Sequence, residues 1–509
     1  MLFTVTDRFG YYPNNTRSQV FLTWDDWNDF SFYTLFGIFY VNDEGDKIEL
    51  GSIKIGFIGQ EERDRVLKKK EIFSELSPNH FSVGLDDNYY VNLNKLGPDI
   101  QTEILNGLND IAKNTQIFRQ AAKESVFKIS FLRGLSQTTI EGQFRRLANG
   151  AARLTPYHFT YTSPENEKVE PMTLSFDVEP DSLPSTNIHI LIGRNGVGKT
   201  YMIDNMIDAL IKRAGNERTT GKFNSLIGSR SKLFANLICV TFSAFDDFEH
   251  PPEKKDKSTG IQYAYIGLKS INADGIPSDT QNSNLLMEEF HKSLYICKTT
   301  SKTQRWKDVI KTLETDPIFR AADIGSLINL PSEAQIRRVA TPLLKKLSSG
   351  HKLILLTITR LVEKLEERSL VLIDEPESHL HPPLLSSFMR ALNALLTNRN
   401  GVGIIATHSP VVLQEVPRSC VWKLRRNGTE AVAERLQIES FGENVGILTQ
   451  EVFGLEVTDS GFHNLLKDLV EKYRTYEAAI EILDGQLGLE AKAILRTLFF
   501  QKRNNDRNR

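Results

Sequence analysis

The stretch Gly193–Thr200, GRNGVGKT, sets glycines, a lysine and a hydroxyl at the G-x-x-x-x-G-K-[ST] spacing. Glycines at those places let successive backbone N–H groups converge on a phosphate, and a helix starting there adds positive potential. On this reading Gly193, Arg194, Asn195, Gly196, Val197 and Gly198 form the cradle. Lys199 reaches the β- and γ-phosphates, and the Thr200 hydroxyl holds Mg²⁺. A second stretch, LVLIDEPESHLHPP at 370–383, runs four apolar residues into Asp374 and Glu375. Asp374 suits the hydration shell of Mg²⁺, and Glu375 suits a base or positioning group for an attacking water. In a third, ATHSP at 406–410, His408 follows another apolar run, from which an imidazole can donate to a γ-phosphate. The three come in this order, each after a β-type run, and together they point to Mg²⁺-dependent hydrolysis of ATP.

A fourth stretch lies far downstream of the glycine loop. LSSGH at 347–351 opens the amphipathic run KLILLTITRLVEKLEE, so Ser348, Ser349 and Gly350 are expected at the positive end of a helix. That is an anion site or a well-capped helix start.

These residues need elements to position them. NIHILIG runs straight into the glycine loop and TYMIDNMIDALIKRA follows as an amphipathic helix, which is the strand–loop–helix context the motif requires. SLVLIDE and GVGIIATHS read as buried parallel strands. Aromatic and β-branched residues make the first 60 positions strands, with NDEGDK as a hairpin turn. Strands are also expected at HFTYT and MTLSFDVEP, and a helix at 98–114 on Ile104, Leu105, Leu108 and Ile111. The organisation read from this is a β-rich part with the P-loop half (1–244), a helical insertion (245–340), the half holding LSSGH, Asp374 and His408 (341–430), and a mostly helical C-terminal region with a basic tail (431–509).

Composition narrows the class. The chain has 509 residues, 40% hydrophobic and 25% charged, with a net charge of −2, so any nucleic-acid contact would have to be local. RVLKKK at 65–70, FRRLANGAAR at 144–153, KLRR at 423–426 and the tail KRNNDRNR are the basic runs, read as solvated surface. Cys239, Cys297 and Cys420 are too few and too scattered for a disulfide framework or a zinc site, which suits a reducing compartment. Asp7 and Arg8 stand where a signal peptide would be apolar, and Arg360 breaks LILLTITRLV. A soluble cytoplasmic protein with no membrane partner is the expectation.

The ordered set GRNGVGKT, LSSGH, LIDEPESHLHPP and ATHS resembles the head of ABC-type ATPases over residues 155–425. The resemblance implies an α/β fold: a mixed β-sheet around a P-loop core with N-terminal antiparallel strands. It also implies a homodimer or higher even-numbered oligomer that sandwiches ATP, with Ser348, Ser349 and Gly350 acting in trans on the partner's glycine loop. Two departures stand out. Ser349 and His351 replace a glycine and the glutamine of the usual LSGGQ, and the strand NLICVTFSAFDDF ends in Ser243, Asp246 and Asp247 without the family's glutamine. Too few residues separate Thr200 from LSSGH for a coiled-coil head, and residues 409–509 hold no carboxylate cluster of a Toprim nuclease. DEPESHLHPP is similar to RecF- and OLD-like ATPases, and VTFSAFDDF with the β-rich start resembles PtuA ATPases of Septu and retron-associated Septu anti-phage systems. That resemblance implies a PtuB-like HNH nuclease as partner, with a retron reverse transcriptase and its DNA–RNA product as a further one. The chain itself is then expected to cut nothing. A RecF/OLD-like ATPase acting directly on DNA is the alternative. His379 and His381 are expected at a dimer contact. The stripe Leu465, Leu466, Leu469 and Val470 fits either self-packing or partner docking.

Overall fold

The computed structural model describes the chain apart from residues 7–11, 14, 26–30, 151–153, 166–169, 212–216, 227–232, 244–247, 249, 252–260, 272–276, 281–282, 301, 428–429, 455–460, 485 and 508–509. The aromatic N-terminal strands form a sheet of their own. Its order is Ile72–Phe73, Leu2–Thr6, Gln19–Trp24, Leu35–Val41, Lys47–Phe57 and His80–Gly84, with only the pair Leu2–Thr6 and Gln19–Trp24 parallel. Helices from Asp87 to Ala148 cover it and close a core around Phe3, Phe81, Tyr90, Phe127 and Phe131. The helix expected over 98–114 is shorter. It starts on Pro98 and stops at Gly107, because Asn109 turns left-handed (φ +48°) and the Asp110 carboxylate takes the N–H groups of Ala112 and Lys113. Its four apolar residues are nonetheless all buried.

The head is built on a seven-stranded sheet in the order Gln262–Gly267, Asn236–Thr241, Ser369–Asp374, Val402–Thr407, Ile188–Ile192, Val421–Asn427, Glu430–Glu434. All neighbours are parallel except the last pair. Every residue of the four central strands is buried. Alternate side chains therefore feed two layers, as an unbroken Val/Ile/Leu run in a parallel sheet requires. Ile190, Ile238, Ile373 and Ile405 face the helices Ser349–Lys364 and Pro382–Asn398 and the insertion. Leu191, Leu237, Leu372 and Ile404 face the helix Lys199–Ile211 and a small antiparallel sheet of Lys222–Ser225, Tyr157–Thr162 and Thr173–Val178. This is the α/β head with antiparallel strands that the sequence implies.

Residues 245–340 are not wholly helical. The helices Ser283–Thr299, Thr303–Leu313, Pro317–Ala322 and Glu333–Lys346 are there, but Gln262–Gly267 is a strand that extends the main sheet. Its core is the four-residue run YAYI, too short to stand out in a polar context. At the other end, Phe462–Lys472, Tyr476–Ile482 and Leu489–Arg507 form a small helical unit. Leu466, Leu469 and Val470 pack inside it against Ala479, Leu495 and Phe499, while Leu465 is exposed. Among the described residues no helix is long and apolar enough to cross a membrane.

The N-terminal unit is fastened to the head by buried charge. Arg399 Nη1 lies 2.5 Å from Asp87 Oδ1 with both side chains buried, and Arg146 pairs with the buried Glu367. Burial pushes the Glu367 carboxyl up, against the pull of Arg146. Single members of three basic runs are likewise engaged. Arg65 stacks between Trp24 and Tyr33, Arg145 lies over Phe118, and Lys423 is buried against Glu434 and Glu451. These three have structural contacts, while Lys68, Lys69, Lys70, Arg425 and Arg426 are exposed, as the surface reading expects.

Candidate active site

Strand register levels the chemistry. Asp374 pairs with Thr241 on one side and Ala406 on the other, and Thr407 pairs with Ile192. Gly193, Glu375 and His408, which follow these residues, therefore leave the sheet side by side at its carboxyl edge, where open α/β sheets bind ligands.

Gly196 and Gly198 take φ of +79° and +98°, and a Cβ on either would meet nothing within 4 Å. The loop is thus an open cradle in a conformation that glycine adopts without strain. Gly193 is needed for space: a Cβ there would lie 2.5 Å from the Leu424 carbonyl oxygen. Lys199 is buried and its Nζ donates to the carbonyls of Gly193 and Arg194, each at 3.0 Å. Burial lowers the pKa of its ammonium, and the carboxylates of Glu375, Asp374 and Glu377 pull it back up. Charge from a phosphate in the cradle would act in the same direction as those carboxylates.

The Thr200 hydroxyl donates to Asp374 Oδ2 at 2.7 Å. A hydroxyl and a carboxylate in contact at the mouth of a phosphate cradle are the hard oxygen donors that suit Mg²⁺, so these residues fit the ion. Glu375 sits in the left-handed region at φ +46°, held by a 2.9 Å bond from its N–H to the Ala406 carbonyl. Such a conformation costs a non-glycine residue about 1 kcal/mol or more and is tolerated where the surroundings enforce it. It turns a half-exposed carboxylate toward His408, with Oε1 3.7 Å from Nδ1.

Glu377 was not foreseen as a site residue. Its Oε1 accepts from the Thr407 hydroxyl and the His408 N–H, both at 2.7 Å, and lies 3.1 Å from His408 Nδ1. One buried-side carboxylate thereby clamps the turn carrying His408. Its only sequence signal was being a second acid in DEPE, beside Glu375. A cleft of about 890 Å³ opens in front of this edge, lined by Arg194, Asn195, Gly196, Val197, His408, Arg426 and Phe453. Arg426 and Phe453 were likewise not singled out.

Ser348, Ser349 and Gly350 do not join this cleft's lining. They start the helix Ser349–Lys364, where Ser348 is the cap and its Oγ accepts the His351 N–H at 3.4 Å. Ser348 and Ser349 are exposed, whereas Gly350 is buried against the turn Pro376–His379. A Cβ on Gly350 would come within 2.8 Å of the His379 carbonyl oxygen. His379 is exposed, and His381 caps the helix Pro382–Asn398 by accepting the Leu384 N–H. Ser243 lies just past the strand Asn236–Thr241, and Asp246 and Asp247 fall outside the described residues.

Residues 310–414 match a family model described as "AAA domain, putative AbiEii toxin, Type IV TA system". Among solved structures, an ATP-binding cassette of an ABC transporter in its ADP conformation covers 60% of this chain and 100% of its own, at 11% identity and a TM-score of 0.31. An inward-facing metal-chelate type ABC transporter covers 58% of this chain and 89% of its own, at 13% identity and a TM-score of 0.29. Protein ea59 of Escherichia phage lambda is 40% identical over 521 residues, an alignment spanning 98% of each chain. Residues 310–414 thus carry an AAA-type ATPase domain, and over its whole length the chain belongs to the same family as Protein ea59.

Proposed function

We propose that the chain hydrolyses ATP in a head-to-head dimer and, through ATP-dependent closure of that dimer, regulates a separate nuclease in an anti-phage complex. The observation that carries the first half is the shared carboxyl edge on which Lys199, Thr200, Asp374, Glu375 and His408 converge. Lys199 and the loop N–H groups would take the phosphates, Thr200 and Asp374 would hold Mg²⁺, and Glu375 would orient the attacking water. His408 would face the γ-phosphate, kept in place by Glu377. Bound Mg²⁺ neutralises charge on the β- and γ-phosphates. The exposed pair Ser348–Ser349, at a helix start outside this cleft, supports completion of the site by a second copy.

The matched family model carries the name of a Type IV TA toxin and the relative is a phage protein. Exposed Phe462, Leu465, Leu489 and Phe500 on the C-terminal helices offer a surface for an HNH-type partner, with a retron reverse transcriptase and its DNA–RNA product as a further candidate.

Glu375→Gln tests the hydrolytic assignment: ATP binding persists while turnover drops by a factor on the order of 100. Wild-type turnover in that variant removes Glu375 from the mechanism. Purified chain incubated with Mg²⁺ or Mn²⁺ and plasmid DNA, single-stranded DNA or RNA should leave all three intact. Cleavage that disappears on mutating this chain, or failure to retain a nuclease encoded beside it, ends the partner reading.

A further inference from the structure

His351 occupies the place of the signature's glutamine, and its ring is nearly inaccessible at 2% exposure. Both of its nitrogens are engaged. Nδ1 lies 2.6 Å from Ser348 Oγ, and Nε2 lies 3.3 Å from Asp316 Oδ1. Asp316 belongs to the insertion, where it caps the helix Pro317–Ala322 by accepting the N–H groups of Ile318 and Phe319 through the same oxygen. The remaining faces of the ring meet Phe319, at 5.0 Å between centroids, and His381, at 6.2 Å. The groups around it that can carry charge are thus Asp316 from the insertion, His381 from the start of the next helix, and Lys352 beside it on its own helix.

Hydrogen-bond bookkeeping fixes the direction of each contact. Two nitrogens of a neutral imidazole are one donor and one acceptor, and a carboxylate only accepts. Nε2 must therefore carry the proton toward Asp316, which leaves Nδ1 as an acceptor and obliges the Ser348 hydroxyl to donate inward. A phosphate oxygen also only accepts, so in this state Ser348 has no hydrogen to offer it. Protonation of His351 reverses the polarity. Nδ1–H then donates to Oγ, the hydroxyl hydrogen turns outward, and a positive charge joins the helix end.

We infer that Asp316 and His351 are positioning residues that set whether Ser348 can donate to the γ-phosphate of a nucleotide on a partner subunit. The insertion thereby controls the signature through one imidazole. This rests on the trans arrangement proposed above, and it adds that the signature's strength is proton-dependent. A glutamine at 351 would remove the dependence, because its amide NH₂ can donate to Oγ at every pH.

The test compares steady-state ATP turnover of wild type, His351→Gln, Asp316→Asn and Ser348→Ala from about pH 5.5 to 8.5, the range over which imidazoles titrate. Taking the ratio to His351→Gln at each pH cancels contributions from Glu375 and His408. Since one hydrogen bond is at stake, His351→Gln should exceed wild type by roughly 2- to 10-fold at the alkaline end, with the gap closing toward the acid end. Asp316→Asn, which keeps the cap but not the charge, should move the wild-type limb to lower pH. Thermal melts confirm that each variant is folded, and Asp316→Asn still decides the matter if His351→Gln is not. A pH-independent ratio, or an unmoved limb in Asp316→Asn, overturns the relay. Ser348→Ala with wild-type turnover instead overturns the trans signature itself.

Discussion

The P-loop edge and the start of the helix Ser349–Lys364 are finished to different degrees. At the P-loop edge the key side chains already meet internal partners: Lys199 on its loop's carbonyls, Thr200 on Asp374, and Glu377 on the His408 N–H. At the signature end, Ser348 and Ser349 face outward at the start of a helix whose first buried residue is Gly350. The first end can hold nucleotide by exchanging internal bonds for bonds to phosphate, which costs little because the geometry is in place. The second exposes two serines, of which Ser348 is held inward by His351, and in the proposed dimer it gains a role only when another surface arrives.

Removing the completed end has the largest effect. Lys199→Ala should lower turnover by a factor on the order of 1000 and weaken nucleotide binding itself, measured by titration calorimetry. Gly350→Asp attacks the other end, since its Cβ would press on the His379 carbonyl. Binding should survive while turnover falls on the order of 100-fold. Mixing it with Lys199→Ala under conditions of subunit exchange should restore some activity, and a fully active monomer would contradict a shared site. Glu377→Gln loosens the His408 turn without removing a phosphate contact, so a drop of about tenfold in kcat with little change in KM is expected. Arg399→Ala lies outside both ends. It removes the buried cation closest to Asp87, costing about 3–5 kcal/mol of stability in denaturant titrations while turnover of the folded protein stays near wild type.

The completed end was also the legible one. Its motifs are contiguous because one loop must wrap one phosphate, and each follows a strand buried on both faces, which leaves an unbroken apolar run in the sequence. Tertiary pairings leave no such trace. Glu377 meets His408 from 31 positions away, and Asp316 meets His351 across 35. Neither spacing belongs to any local periodicity. The same limit holds within the basic runs: a free surface cation and one stacked between Trp24 and Tyr33 look alike until the chain folds. The strand Gln262–Gly267 was hidden because an edge strand of four apolar residues in a polar segment carries too weak a pattern.

The contact between Gly350 and the His379 carbonyl has a mechanical consequence. The helix Ser349–Lys364 is a stiff rod about 24 Å long at 1.5 Å per residue, and its first turn butts against the short turn Pro376–His379. That turn begins next to Glu375 and contains Glu377. Backbone against backbone has almost no compliance, so a push on the rod's exposed tip cannot be absorbed by side-chain rotation. It is delivered two residues away, to the carboxylate that holds His408. A second copy closing on Ser348 and Ser349 would thus do more than complete its neighbour's site: it would load a spring in its own host subunit, tying the hydrolytic turns of the two subunits to one stroke.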